Sequence, residues 1–393
     1  MENNDKICGY YLDEEQSAIV KEETPYLLVV AGAGSGKTLT ILGKINCLIK
    51  YKNINKDEIL CISFTKASSL NLKQKIKEEF GIDMDVFTFH KLSLEILGKT
   101  RCQITSDETL NNIIHKFIYI DVLNNGEFMN YILKYFKKRY KNKKDYIRFI
   151  DNNREKIEEL EKLISTFLHL FKCNNYNIES FKVFLKEARK NILRYKLEKI
   201  FLIIVLNIYL IYQNYLEENN EIDFNDMILK AIDKLDKEEL NLKYKYIIID
   251  EYQDTSYIRF LLIKKIIDIT NSSLMVVGDD FQSIYRFTGC DLSLFLNFKD
   301  YFNNSKVMKI QNTYRNSKEL IQVAGSFVMK NKSQQKKKLI SHKHINNPII
   351  IYETKDYIST LKHILNIIKD KEIFILGRNN NDINKYIDND YKK

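Results

Sequence analysis

Two short segments carry the residue types that phosphoryl-transfer chemistry needs. Ala31-Gly32-Ala33-Gly34-Ser35-Gly36-Lys37-Thr38 has the composition of a phosphate-cradling loop, and Asp250-Glu251-Tyr252-Gln253-Asp254 sets two carboxylates at the end of an apolar run. Glycines let backbone N–H groups close round phosphates, Lys37 can reach the β/γ oxygens, and the Thr38 hydroxyl can ligate Mg²⁺. Asp250 would hold the same metal while Glu251 polarises an attacking water. The two halves together specify nucleoside triphosphate hydrolysis. Ala31 stands where such loops usually begin with glycine; the plainer readings are a strand-to-helix corner for the loop, which its Gly-Lys-Thr ending disfavours, and a solvated turn for the acidic segment.

Elements of the right kind flank both segments. Tyr26–Val30 is an apolar run ending at the loop, and Leu39 onward has helical patterning, which puts the loop at a helix N-terminus. Tyr246-Ile-Ile-Ile249 reads as a buried strand that delivers its carboxylates where open α/β sheets bind ligands. Further strands are predicted at Glu58–Phe64, Val86–Phe89, Tyr244–Asp250 and Ser273–Gly278, with helices between, the mark of a parallel α/β sheet. Residues 91–235 instead show long helical periodicity, so the sequence predicts a helical insertion into one α/β core. Val307–Ile310, Pro348–Tyr352 and Ile373–Leu376 suggest strands of a second α/β unit. Lys336-Lys337-Lys338 reads as an exposed loop.

The chain has 393 residues, 45% of them apolar, enough for two or three domains. A formal net charge of +10 favours a polyanionic partner. The scarcity of Pro and Trp beside abundant Lys, Asn, Ile and Tyr looks like coding bias, which discounts part of the lysine excess. The six cysteines show no metal-ligand spacing, which predicts reduced thiols in a cytoplasmic setting. The N-terminal Met-Glu-Asn-Asn-Asp is not a signal peptide. The apolar stretch Ile200–Tyr212 is interrupted by Asn207 and falls short of the roughly 18–20 residues of a membrane span, so a buried helix and no membrane association are expected.

Several more segments fall in order around these two: Leu12-Asp-Glu-Glu-Gln16, Ile62-Ser-Phe64-Thr65-Lys66-Ala67, Val86-Phe-Thr88-Phe-His90, Val276 to Gly289, Gln311-Asn-Thr-Tyr314-Arg315-Asn-Ser and Ile375-Leu-Gly-Arg378-Asn379. As an ordered set they resemble the superfamily 1 DNA helicases of the UvrD/Rep type. Thr166–Lys172, Ile222–Ile228 and Ser283–Asp291 look closest to the DNA helicase IV branch. The resemblance implies an ATP-dependent 3′-to-5′ helicase or translocase on single-stranded DNA. By position it implies that Gln16 reads adenine, Tyr314 stacks on it, Arg315 reaches the γ-phosphate, and Gln282 senses that phosphate and couples it to DNA. It implies that Phe64, Thr65, Thr88, His90, Tyr285 and Phe287 line the DNA, where aromatic faces would stack on bases of any sequence. Phe64 and Phe287 are equally compatible with a plain core role, and His90 with a helix cap. The basic run Lys134–Lys144 could contact DNA backbone or be a solvated face. Asp223 and Asp226 read as fixing a helix start.

The resemblance also implies an architecture: a P-loop RecA-like parallel-sheet core in two parts (1–90 and 236–306), a helical insertion (91–235), and a partial second RecA-like core (307–393). Leu39 and Thr288 stand where the family commonly has arginines, so one adenine-side and one phosphate contact would be missing. Nothing after Arg378–Asn384 supplies the family's later motifs. The chain therefore looks like an N-terminal portion (a gene fragment, a split subunit or a deliberately shortened chain) with weak turnover expected of it alone. The rival from another class is a catalytically weak nucleotide- and DNA-binding module completed by a partner chain, which a neighbouring reading frame carrying the missing motifs would favour. A P-loop kinase is disfavoured, since Gln253, Gln282 and Tyr314-Arg315 have no natural role in one.

Overall fold

Runs of Val, Ile and Leu buried on both sides make a six-stranded parallel sheet, as expected of strands covered by helices on each face. The computed structural model describes residues 6–98, 103–190, 194–332, 334–368, 372–379 and 383. The chain opens on a short antiparallel pair, β1 (Lys6–Ile7) and β2 (Tyr10–Tyr11), then α1 (Glu14–Lys21). The first half of the core follows as β3 (Tyr26–Ala31), α2 (Lys37–Lys50), β4 (Ile59–Ile62), α3 (Lys66–Phe80), β5 (Val86–Phe87) and α4 (Phe89–Leu97). Next come β6 (Gln103–Ile104), α5 (Asp107–Tyr119), α6 (Gly126–Tyr135), α7 (Lys143–Asn152), α8 (Arg154–Cys173), α9 (Ile178–Ala188), α10 (Tyr195–Glu218), β7 (Glu221–Ile222) and α11 (Phe224–Lys237). The core resumes with β8 (Tyr246–Ile249), α12 (Tyr257–Thr270), β9 (Ser273–Gly278), α13 (Ser293–Leu296), α14 (Phe298–Tyr301) and β10 (Ser305–Ile310), and α15 (Lys318–Val328) and α16 (Tyr357–Ile367) follow.

The order across the sheet is β10-β3-β9-β8-β4-β5, every pair parallel. Side chains alternate between its two faces, as the pleat requires. Leu28, Val30, Leu60, Ile62, Ile247, Ile249, Leu274 and Val276 enter one core with α4, α11 and α12. Leu27, Val29, Ile59, Cys61, Ile248, Met275 and Val277 enter the other with α1, α2 and α3. A third core lies wholly within the insertion, between α5 and α10. Helix α10 is long and apolar enough to cross a membrane by length and composition. In the structure it packs within the insertion, with Leu202, Ile204, Val205, Ile208, Tyr212 and Leu216 buried.

The expected strands of the core are present with small shifts: β4 and β8 are shorter at both ends, and Phe89 opens α4 rather than ending a strand. Three expectations differ. Val307–Ile310 does not start a second sheet; as part of β10 it pairs residue for residue with β3 on the edge of the first. Pro348–Tyr352 and Ile373–Leu376 pair with no strand among the described residues, and Ile350, Ile351, Phe374 and Leu376 are largely exposed. An apolar run becomes a strand only where a neighbour accepts its ladder of hydrogen bonds. Finally, Lys337 is buried, unlike Lys336 and Lys338 beside it. The segment to Asn384, the N-terminal pentapeptide and Cys102 lie partly or wholly outside the described residues.

Candidate active site

The C-terminal ends of β3, β9 and β8 are adjacent, so the loops leaving them share one crevice. Val30 lies opposite Gly278, and Ile249 opposite Val276. This register sets the phosphate loop, Asp279 and the Asp250-Glu251 pair side by side although they span some two-thirds of the chain.

The loop leaves β3 at Ala31, turns through Gly32–Gly36 and enters α2 at Lys37. Gly34 has φ +74° and Gly36 φ +84°, backbone that side-chain-bearing residues rarely adopt. At Gly34 an added Cβ would also overlap the Cβ of Arg315. The Ser35 hydroxyl is buried without a partner among the described residues, which suits a loop that closes round a polar ligand. Lys37 Nζ meets Glu251 Oε2 at 2.5 Å. Glu251 itself sits at φ +51°, the left-handed region, an energetic cost that functional sites commonly carry.

Asp250 lies beneath this pair, its Oδ1 accepting from Glu251 N at 2.9 Å. Burial pushes its carboxyl up to about 6, the Glu251 charge adding to the effect and Lys37 opposing it. Asp254 is likewise raised to about 6, by burial first and then by Glu251, and its Oδ1 has no partner among the described residues. Perturbed carboxyls in a crevice are where charge chemistry is prepared. Gln253 links the next strand: its Nε2 donates to Glu251 Oε2 at 3.1 Å, and its Oε1 accepts from Asp279 N at 3.0 Å. That approach requires Gly278, where a Cβ would stand 2.5 Å from Gln253 Oε1 and 2.8 Å from Phe295. Gln282 Nε2 donates to Asp279 Oδ2 at 2.5 Å, so the proposed sensor belongs to the same network.

The segment after β10 roofs the loop. Thr313 Oγ1 donates to Ala33 O at 2.7 Å and Tyr314 N to Gly34 O at 2.9 Å. Tyr314 Oη donates to Asp13 Oδ2 at 2.7 Å, and burial with this contact lifts its phenol to about 12. Arg315 is exposed and makes no ion pair among the described residues. A cavity of about 640 Å³ opens here, lined by Tyr10, Tyr11, Gln16, Thr38, Leu39 and Tyr314 among others. Gln16 Nε2 donates to Ser35 O at 2.9 Å and Gln16 Oε1 accepts from Asp13 N at 3.1 Å, leaving one amide hydrogen and one lone pair for a ligand.

The residues expected on DNA gather elsewhere on the same edge. Phe64 and Tyr285 have ring centroids 5.8 Å apart, and Tyr285 and Phe287 6.2 Å. Phe287 is 70% exposed, so it is no core phenylalanine. Phe64 is half-buried, with the Arg259 guanidinium 5.0 Å from its ring centre. Thr65 and Thr88 are the N-caps of α3 and α4. His90 is therefore not the cap; it packs on Phe224 and burial lowers it to about 4, so it is neutral at pH 7.

Asp223 does cap α11, accepting from Asp226 N at 2.8 Å, and both also pair with the buried Lys172. This triad ties the insertion's α8 to the start of α11, and the His169 contact to Thr288 O (3.1 Å) ties α8 to the Tyr285–Gly289 loop. The three segments Thr166–Lys172, Ile222–Ile228 and Ser283–Asp291 thus meet at one junction. Of the rings in the basic run, Tyr135 and Phe136 face the insertion core through Phe201 and Phe149, Tyr140 packs against the same core, and the run's charges are solvated. Sequence reasoning assigned no role to Asp279, Arg259 or Lys337. Asp279 carried the same signal as Asp250, an acid at a strand end; the two cations carried none.

Residues 12–303 match the UvrD/REP helicase N-terminal domain family. Among curated relatives, the chain is 30% identical to the ATP-dependent DNA helicase Rep of Buchnera aphidicola, over 88% of this chain and 47% of that protein. It is 27% identical to a "Probable DNA helicase II homolog" of Mycoplasma capricolum (96% and 50%) and to the ATP-dependent DNA helicase PcrA of Staphylococcus aureus (94% and 48%). The chain spans about half the length of these relatives.

Proposed function

The chain belongs to the UvrD/REP helicase N-terminal domain family, and from that premise we propose that it is the ATP-binding portion of a superfamily 1 DNA helicase or translocase, moving 3′ to 5′ on single-stranded DNA. The observation that carries the reading is the meeting of Lys37 with Glu251 over Asp250, roofed by Thr313–Arg315 from beyond the sheet. Phosphoryl transfer needs this set: a cation on the phosphates, an acid to polarise water, and a guanidinium facing the γ-phosphate.

Each residue then has a part. The adenine lies in the cavity between Gln16 and Tyr314, and the phosphates lie along the loop. Lys37 exchanges its Glu251 partner for phosphate oxygens, which frees Glu251 to orient and polarise a water. Thr38 and Asp250 would hold Mg²⁺; two protein oxygens suit an ion that keeps several waters and substrate oxygens in its shell. Bound there, Mg²⁺ supplies positive charge to the β- and γ-phosphate oxygens. Gln282, tied through Asp279 and Gln253 to Glu251, relates the state of this site to Tyr285 and Phe287, on which bases stack. A partner chain carrying further helicase motifs is part of the same proposal.

Hydrolysis of ATP by this chain, measured with and without oligo(dT), tests the reading. Stimulation by the oligonucleotide, abolished by Lys37→Ala, is the expected result. Nucleotide binding with no hydrolysis under either condition would replace the enzyme with a binding module.

A further inference from the structure

Lys337 is the buried member of its lysine run, and its place is at the site's rear wall. Its ammonium pairs with Asp279 Oδ1 and with Asp280 Oδ1 (2.8 Å), all three side chains being 0–2% exposed. It also lies 3.9 Å from the centre of the Phe281 ring. Asp279 joins several partners at once: Lys337 and the Phe281 N–H on Oδ1, Gln282 on Oδ2 and Gln253 on its backbone N–H. A continuous chain of contacts therefore runs from Lys337 through Asp279 and Gln253 to Glu251 and Lys37.

The segment that delivers Lys337 is the one that backs Arg315. Ile340 N donates to Gln311 O and Thr313 N to Ile340 O, both at 2.8 Å, so this segment and the Gln311–Thr313 stretch are laced together. Gln335 N donates to Asp280 Oδ2 at 2.9 Å, and Leu339 lies against Gly32 of the phosphate loop.

We propose that Lys337 is a positioning residue for hydrolysis, which orients Gln282 and Glu251 only while the 335–341 segment is docked on the first sheet. The inference rests on the ATP-hydrolysing reading above. Two adjacent carboxylates at this depth require a cation. Withdrawal of the segment removes it, Asp279 turns toward water, and the amide of Gln282 loses its restraint. Nucleotide affinity does not depend on this link, because Gln16 is held by Asp13 and Ser35, Tyr314 by Asp13 and Gly34, and Lys37 leaves Glu251 for the phosphates once nucleotide is bound. Turnover does.

The test compares Lys337→Met, Lys337→Arg and Lys336→Met in the full chain. Fluorescent-ATP titration gives Kd, steady-state hydrolysis with oligo(dT) gives kcat and KM, and thermal melting reports folding. Lys337→Met should lower kcat by roughly 10²-fold, the scale of misplacing a catalytic group by about 1 Å, with Kd and KM moving by no more than about threefold. Lys337→Arg keeps the cation and should restore kcat to within about threefold of the unaltered chain; Lys336→Met should change nothing. Should Lys337→Met not fold, Asp280→Asn/Lys337→Met keeps the trio's net charge and should show the same loss of kcat. An undiminished kcat in the Met variants, a Kd that weakens in step with kcat, or no restoration by Arg overturns the proposal. No hydrolysis by the unaltered chain would overturn the reading beneath it as well.

Discussion

Glu251→Gln separates the two jobs that the structure gives one carboxylate. Without nucleotide, Glu251 holds Lys37 at 2.5 Å, and ATP can use that lysine only by breaking the pair. The bare attraction at 2.5 Å and an effective dielectric of ~20 is roughly 6–7 kcal/mol. Desolvation of both groups cancels most of it, leaving about 1–2 kcal/mol net for a partly buried pair. The substituted amide would keep the shape and a contact with Gln253 but release the lysine, and the change removes a negative charge facing the phosphates. Affinity for ATP should therefore hold or tighten, by up to about 5–30-fold for that energy. Hydrolysis should fall by about 10²–10⁴, the usual contribution of a positioned general base. Fluorescent-nucleotide titration and phosphate release with oligo(dT) measure the two effects separately. A Kd weakened tenfold would mean that Glu251 organises the pocket rather than competing for Lys37. A kcat within a few-fold of the unaltered chain would mean that another group polarises the water.

Phe287→Ala should weaken single-stranded DNA binding by about 1–3 kcal/mol with no change in melting temperature, since the ring is 70% exposed; Phe64→Ala should cost stability too, because its ring packs against Arg259 and Tyr285. Filter binding with unchanged affinity would remove both from the DNA track. Asp250, raised to about 6, gives a pH dependence with a definite sign. Between the ordinary carboxylate value near ~4 and about 6 the folded protein keeps a proton that the unfolded chain has released, so this group's contribution to stability falls as pH rises through that window. Mg²⁺-dependent nucleotide binding needs the ionised form and should weaken as pH drops below about 6; a flat profile from pH 5 to 8 contradicts the assignment. Lys172→Met should destabilise the insertion by about 3–5 kcal/mol, because it strands Asp223 and Asp226 in a buried site. Urea unfolding shifted by less than ~1 kcal/mol would show that water reaches the pair.

Residue types and local patterning were enough to pick out the groups of the candidate site and the elements that flank them. Gly34 and Gly36 stand where the backbone needs positive φ, Asp223 caps the helix it was expected to start, and Ser273–Gly278 is the strand its apolar run predicts. These are properties of contiguous residues, read from turn chemistry, capping and periodicity. The tertiary structure alone decided which distant pieces meet. Nothing within Ser305–Ile310 says that it will pair with β3 rather than begin a new sheet, because a parallel strand's register depends on a partner far along the chain. Ile349–Ile351 has as strong an apolar run and joins no strand among the described residues. Lys337 has the same side chain and the same local context as Lys336 and Lys338, yet it is buried. What distinguishes it is a pair of carboxylates 57 and 58 residues away, brought within reach by the packing of a segment whose own sequence reads as a loop. Burial of a charge is set by where its counter-charges come to lie, and only the folded chain fixes that.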